Sequence, residues 1–465
     1  MIEGLKPYAE YKESGQKWLG SVPAHWDVRR TKLILREVDS RSTTGKEQLL
    51  RVSQYTGVTQ RKAADGSDAP DTRAASLVGY KRVSVNDLVI NIMLAWNGSM
   101  GVSRFDGIAS PAYCVYRLNK GAQPWYYHQL LRLPLYKGRI KAVSTGVIES
   151  RLRLYSDDLG RIEALLPPPD EQAAIVRFLD HANRKIDGFI RAKRKLIGLL
   201  NEQKQAIIHR AVTRGLHPDV PLKPSGIPWL GDIPKHWEAK RIKYLLREVD
   251  NRSTTGLEPL LSMRMHHGLV VFSEHFTRPP QAATLVGFKI VRPRQFVVNR
   301  MQAGNGVIFP SCLSITGLVS PDYAVFDPIA DVNVDYLGEL FRSRTLRVKF
   351  RSESKGLGTG TSGFMRLYND RFGAIHIPLP PRKEQDSILK GVGEQSTDLN
   401  AAIARTEREI ALMQEYRTRL TADLVTGKLD VREAAAHLPA PPVDAAAEPA
   451  PDEPLEETES EEIEA

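Results

Sequence analysis

Residues 18–45 of this 465-residue chain recur at 229–256, and this recurrence constrains the fold more than any other feature. Of the 28 aligned positions, 18 are identical: WLGSVPAHW returns as WLGDIPKHW, and LREVDSRSTTG as LREVDNRSTTG. The match continues through SLVGY (76–80) and TLVGF (284–288), SPAY (110–113) and SPDY (320–323), and RLY at 153–155 and 366–368. It ends in two helical segments that open on Glu-Gln, at Glu171 and Glu384. A period of roughly 210 residues is far above the ~20–50 of a solenoid repeat and suits a whole domain. Two like domains on one chain imply two like binding events.

Between the repeated motifs the pattern alternates short β-like runs with turns. LLRVSQY (49–55), DLVINIMLAW (87–96) and YCVYRL (113–118) read as strands, 124–141 as a helix, and IEALLPPP (162–169) as a last strand halted by proline. From about 170 the period changes. Leu179, Ile186, Ile190, Ile197, Leu200, Ile207 and Ala211 form one apolar stripe, matched 213 residues later by Val392, Leu399, Ile403, Ile410, Met413, Leu420 and Leu424. Such stripes predict two helices of ~60 Å at 1.5 Å per residue. Neither helix buries its seam alone, so the expectation is that they pack together as an antiparallel coiled coil.

The predicted fold is therefore α+β: two tandem mixed α/β domains separated by two long helices, with a pseudo-two-fold internal repeat. The expected boundaries are 1–168 for the first domain and 169–214 for the first helix. A proline-rich connector and the second domain take 215–382, the second helix 383–432, and an acidic disordered tail 433–465.

Charge divides unevenly. Residues 433–465 hold 11 acids and no Lys or Arg, so residues 1–432 carry 65 basic against 44 acidic residues, a net of +21. A body that basic predicts a polyanionic partner, nucleic acid first. No apolar run approaches the ~20 residues that span a bilayer, and residues 1–20 lack the apolar stretch of a secretory signal, so a cytoplasmic location is expected. Cys114 and Cys312 are expected to be buried free thiols, and no Cys/His cluster has zinc spacing.

WLGSVPAHWDVRRTKL and its repeat WLGDIPKHWEAKRIKY resemble the opening of each target recognition domain in specificity (S) subunits of type I restriction–modification systems. The order domain, long helix, domain, long helix is similar too, as are the PPPDEQ and PPRKEQ junctions and the endings VTRGL (212–216) and VTGKLDVR (425–432). The resemblance spans about 10–430. It implies a noncatalytic DNA-binding subunit in host defense, binding no cofactor itself. Its implied partners are double-stranded DNA, two modification subunits that use S-adenosylmethionine to methylate adenine N6, and endonuclease/translocase subunits. Each domain would read half of a bipartite target, and the helix pair would set the gap. Two rivals remain at this point: a coiled-coil scaffold for protein partners alone, and a self-contained DNA methyltransferase.

The residues offer little support for chemistry within this chain. Tyr113 and Tyr323, in SPAY and SPDY, lack the second proline of an amino-methyltransferase loop, and no glycine-rich cofactor loop accompanies them. GLGTGTSG (356–363) lacks the GK[ST] of a nucleotide loop. His266–His267 has no companion at ligand spacing. For DNA reading, positions shared by the copies (Trp18, Trp26, Leu35, Trp229, Trp237, Leu246) are expected to be scaffold, and divergent polar loops the readers. In the first domain these are Gln54, Tyr55, Arg61, Lys62, Asn97, Arg151 and Arg153. In the second they are Arg264, His266, Arg300, Gln302, Asn305, Lys355 and Arg366. Arg suits guanine, and Asn and Gln suit adenine. Arg41 and Arg252, in the shared RSTTG, are candidates for scaffold or phosphate contact.

Overall fold

The computed structural model of the chain describes residues 5–61, 74, 76–147, 152–265, 267–276, 279–357 and 364–439. It divides into two units. One takes the chain up to Lys193 and resumes at Arg408; the other spans Arg194–Glu407. Each unit thus holds one mixed α/β domain and half of each long helix.

The two domains share one topology. In the first, an antiparallel sheet has the order Leu35–Glu37, Tyr113–Leu118, Leu88–Asn91, Met100–Val102. In the second, Leu246–Val249, Ala324–Pro328, Phe296–Val298 and Ile308–Pro310 repeat it. The strand stopped by prolines, Glu163–Leu166, pairs with Asp27–Arg30 in the WLG repeat, as His376–Leu379 pairs with Glu238–Arg241. Core positions correspond even where residues differ. Leu88, Tyr116, Leu131, Ile140 and Leu159 are buried in one domain; Phe296, Phe326, Phe341, Phe350 and Phe372 occupy their places in the other. These phenylalanines meet at centroid distances of 5.2–5.9 Å. The shared Trp26, Trp237, Leu35 and Leu246 are buried, as expected of scaffold.

Several expectations are corrected. The helix read over 124–141 is two, Pro124–Leu131 and Pro134–Val143, because Pro134 cannot donate to the preceding turn and disfavours helical backbone before it. Part of the connector is a hairpin, Leu222–Pro224 on Asp232–Pro234, equivalent to Tyr11–Glu13 on Ser21–Pro23 in the first unit. The acidic C-terminal segment begins with structure: Arg432–Ala436 is helical and buries Ala435, while 440–465 lie outside the described residues. Both cysteines are free, but Cys312 is exposed and Cys114 half-buried. Cys312 follows the strand Ile308–Pro310, where its sulfur lies 3.7 Å from the Asp335 carboxylate.

The long helices are Pro169–Arg214 and Arg382–Val425. They run antiparallel in both units. In the first, Lys193 pairs with Glu409 at 2.6 Å and Asp187 with Arg417; in the second, Lys204 Nζ donates to Asn400 at 2.8 Å. The last two contacts are the same contact, since Asp187 corresponds to Asn400 and Lys204 to Arg417 at the repeat offset. The seam includes polar residues that the apolar stripe skipped. Val392, Ser396, Leu399, Ile403, Thr406, Ile410, Met413, Arg417, Leu420 and Leu424 alternate in steps of four and three, and all are buried or half-buried. This is a heptad repeat. On the first helix Ile186, Ile190, Lys193, Ile197, Leu200 and Lys204 continue it, and Ile208 is more buried than Ile207.

The Glu-Gln that opens each long helix fastens it to its domain. Glu171 Oε1 accepts from the buried Trp26 indole at 3.0 Å and from the Tyr8 hydroxyl, and Oε2 lies 2.8 Å from His25 Nε2. In the second unit Glu384 receives Trp237 at 3.1 Å and faces His236 at 2.7 Å. The adjacent Gln172 accepts from the Gln123 backbone at 2.8 Å and donates to the Pro167 carbonyl at 2.7 Å. Gln385 does the same with Asn333 and Pro380. The end of the opposite helix is held as well: Tyr126 donates to the Val425 carbonyl at 2.8 Å, and Tyr336 to Val212 at 2.9 Å.

The two carboxylates differ in exposure, with the Glu171 side chain 3% accessible and that of Glu384 29%. Glu171→Ala orphans two buried donors and should destabilise its unit by about 2–4 kcal/mol; Glu384→Ala orphans one and should cost about 1–2 kcal/mol. Chemical denaturation of the two variants tests this, and equal losses would contradict it.

Candidate nucleic-acid interface

In the first unit the structure brings two of the divergent loops together. Gln54 and Tyr55 form the turn of a hairpin, Leu50–Ser53 on Gly57–Gln60. Asn97 closes a short 3-10 turn, Ala95–Asn97, after the sheet strand Leu88–Asn91. The half-buried Arg132 joins them. Its guanidinium donates to the carbonyls of Ser53, Gln54 and Tyr55 and to those of Gly98 and Met100, at 2.5–3.3 Å. Burial pulls Arg132 down to about 10, which leaves it charged at neutral pH. Tyr55 is exposed and Gln54 half-buried. The hairpin also lies tightly on the sheet edge: a Cβ on Gly101 would sit 2.9 Å from the Gly57 Cα, so glycine is required there.

Other first-unit candidates are placed differently. Asn97 accepts from the Ser99 backbone and hydroxyl at 3.1 and 2.9 Å, so its carbonyl shapes the turn. Arg61 lies at the far end of the hairpin from Gln54, its backbone N–H bound to the Leu49 carbonyl at 2.9 Å. Arg153 is exposed and bridges to Thr145, beside the Leu154–Ile92 backbone hydrogen bond. Lys62 and Arg151 lie outside the described residues.

In the second unit the candidates gather around the loop after strand Phe296–Val298. The Leu367 N–H donates to the Arg300 carbonyl at 2.8 Å, which seats the hairpin Lys355–Leu357 on Phe364–Arg366 beside that loop. Lys355 and Arg366 are direct cross-strand partners. Arg300 Nε donates to the Asp322 carbonyl of SPDY at 2.8 Å, and burial, with Arg366 nearby, lowers its pKa. The Asn305 side-chain oxygen accepts from Arg351 at 2.9 Å, and Gln302 is half-buried one turn earlier. Arg264 stands at another hairpin, Leu261–Arg264 on Gly268–Val271, with its guanidinium 5.2 Å from the Phe276 ring centre. His266 and residues 358–363 of the glycine-rich loop are outside the described residues.

The shared motifs are structural here. Ser42 Oγ, buried, accepts the Gly45 N–H at 2.8 Å and donates to Glu47 at 2.6 Å; Ser253 repeats this with Gly256 and Glu258. Arg41 binds Asp39 and the Gly79 carbonyl, and Arg252 binds Asp250 and the Gly287 carbonyl, and both side chains stay exposed. The Arg41 hydrogen bond, with Lys81 close by, holds the Asp39 carboxyl below its ordinary range. Tyr323 is buried and Tyr113 half-buried, each at a strand end. Among the described residues no group of three or more His, Cys, Asp or Glu is placed to hold a metal, and no helix is long and apolar enough to cross a membrane.

Sequence reasoning missed Arg132 and the basic pairs carried by two equivalent helices. Pro134–Val143 and Arg344–Glu353 occupy the same place in the two units, each packed against the loop with Asn97 or Asn305. The available signal was a basic i, i+4 pair repeated at an offset of 210: Lys137 and Lys141, then Arg347 and Arg351.

No family model matches the chain. It is 23% identical over 454 residues to a protein of Methanocaldococcus jannaschii assigned as the MjaX type I restriction enzyme specificity subunit, covering 91% of this chain and 98% of that one. A chain of a type I R-M system, solved in work on its complex assembly and conformational transition, matches with a TM-score of 0.57 at 14% identity. The match covers 87% of this chain and 98% of that one, and shows a shared fold.

His128 gives the first unit a pH signature. Burial, then Arg132 and Arg104, depress it to about 3, and its neutral Nδ1 accepts the Val102 N–H at 3.1 Å. An unfolded histidine titrates near ~6.5. Between these values the unfolded chain binds a proton that the fold excludes. The stabilisation is therefore complete above about pH 6.5 and falls with acidification by roughly 1 kcal/mol per pH unit. His128→Asn should flatten the fall in melting temperature between neutral pH and about pH 5; an unchanged fall would remove His128 as its source. The second unit has Gly338 at this position, with no side chain to titrate.

Proposed function

We propose that the chain is the specificity subunit of a type I restriction–modification system, a sequence-specific DNA-binding subunit with no chemistry of its own. Each recognition domain reads one half of a bipartite target, and the antiparallel helices set the spacer. Partner modification subunits, using S-adenosylmethionine, methylate adenine N6 at the site so marked, and endonuclease/translocase subunits act from the same complex. The outer faces of the long helices and the 213–234 segment offer the docking surface for the modification subunits. The observation that carries this reading is the duplication itself. Both domains keep the same attachment to the same helix pair, through Glu171 and Glu384, while their polar loops diverge. A scaffold for protein partners alone has no need of a duplicated basic body with two different loop sets.

Replacing residues 18–168 with the equivalent domain of another specificity subunit should change one half of the methylated sequence and leave the other half intact. A target that changes in both halves, or in neither, would defeat the reading. Inserting one heptad into each long helix keeps the seam in phase, and should lengthen the tolerated spacer or abolish activity. An unaltered spacer would rule out the helices as the ruler.

A further inference from the structure

The basic helices Pro134–Val143 and Arg344–Glu353 share three cation positions, which the structure sorts the same way twice; the second helix also opens on Arg344. The middle one is scaffold: Arg139 lies 5.9 Å over Trp18 and Lys349 5.8 Å over Trp229, the equivalent tryptophan of the repeat. Lys349 is also paired with Glu353. The outer two face the turn that carries Asn97 or Asn305. Lys137 runs along Gly98, where a Cβ would meet its Cδ at 2.9 Å, and Arg347 runs along Gly306, where its Cδ would be met at 3.1 Å. Both glycines have left-handed backbone, φ +98 and +88, so the same residue closes the turn and leaves room for the cation's stem. Lys141 sits 5.5 Å over the Trp96 ring, and Arg351 lies along Gly304, where a Cβ would meet the arginine Cβ at 3.1 Å.

Lys141, Arg347 and Arg351 are exposed, and Lys137 is half-buried. Among the described residues, neither Lys137 nor Arg347 has an ion pair. The buried face of each helix, Tyr136 and Ile140 or Leu346 and Phe350, fixes which way the cations project. On such a helix an i, i+4 pair has its Cβ atoms roughly 5–6 Å apart.

We propose that these pairs, Lys137 with Lys141 and Arg347 with Arg351, are phosphate clamps that hold the DNA backbone against the adjacent loop, without reading bases. The inference rests on the DNA-reading function proposed above and assigns it a backbone contact. The cation positions persist between the copies together with the Asn-Gly turn they face, while Trp96 and Ser99 beside it give way to Gly304 and Val307; a sequence-independent grip requires that persistence. A lysine pair in one copy and an arginine pair in the other serve alike, because a phosphate needs charge within reach and not one donor geometry.

The test uses the full-length chain and a random-sequence pool of duplex DNA, with affinity measured across a salt series and the bound fraction sequenced. For K137Q/K141Q and for R347Q/R351Q, the slope of log K against log salt should each shrink by about 1.8, at ~0.9 per phosphate contact. The base preference of the bound fraction should stay as in the wild type for K137Q/K141Q and for R347Q alone, which keeps the Arg351–Asn305 hydrogen bond. Charge-keeping K137R/K141R and R347K/R351K should retain the full slope, which separates lost charge from lost folding. An unchanged slope in the Gln variants overturns the clamps, as does a changed base preference in K137Q/K141Q or in R347Q. A wild type with no affinity and no salt dependence overturns the DNA-reading function itself.

Discussion

The rest of the structure depends on a buried carboxylate meeting a buried indole. Glu171 begins a long helix and Trp26 belongs to the opening motif of the first domain, and their hydrogen bond turns a flexible junction into a fixed one. Gln172 and Gln385 satisfy backbone groups on both sides of the joints, so chain that would otherwise leave polar atoms unpaired is secured. Tyr126 and Tyr336 then hold the far end of the other helix. A domain fastened to both helices has its orientation set by packing and not by a linker. Orientation is what a reading head must have if its loops are to meet a particular groove.

Around this fixed frame the two copies drift in an orderly way. Cores exchange aliphatic for aromatic residues at matched positions, which preserves burial while altering shape. The hairpin contact changes more. In the first unit Arg132 ties carbonyls together over Gly101; in the second Phe309 takes the place of Gly101, and Arg342 lies 5.5 Å over its ring. Scaffold conserves interactions, whereas the loops conserve only where they are mounted. Loops can then diverge without redesign of the mount.

Much of this was legible in the sequence because it was written twice. The repeat located the tryptophans, the Glu-Gln junctions and both long helices before any coordinates. What escaped has physical reasons. The apolar stripe omitted Ser396, Thr406 and Arg417 because hydrophobicity marks burial, and these seam residues are buried or half-buried polar groups; Thr406, for one, bonds back to the Ala402 carbonyl. The helix over 124–141 was overrun despite Pro134, since the apolar residues on either side keep a helical spacing. Arg132 had no signature at all: its carbonyl partners lie up to 79 residues upstream, and backbone acceptors leave no trace in residue type.

The polar steps in the helix seam act as a detent. An all-aliphatic interface would let one helix slide a turn past its partner at small expense. Here a slip would pull Arg417 from Asp187 and Lys193 from Glu409, leaving cations against apolar side chains. Any length encoded by the pair is consequently quantised: it changes by insertion or deletion of whole repeats and resists continuous drift, much as the teeth of a ratchet permit only whole clicks.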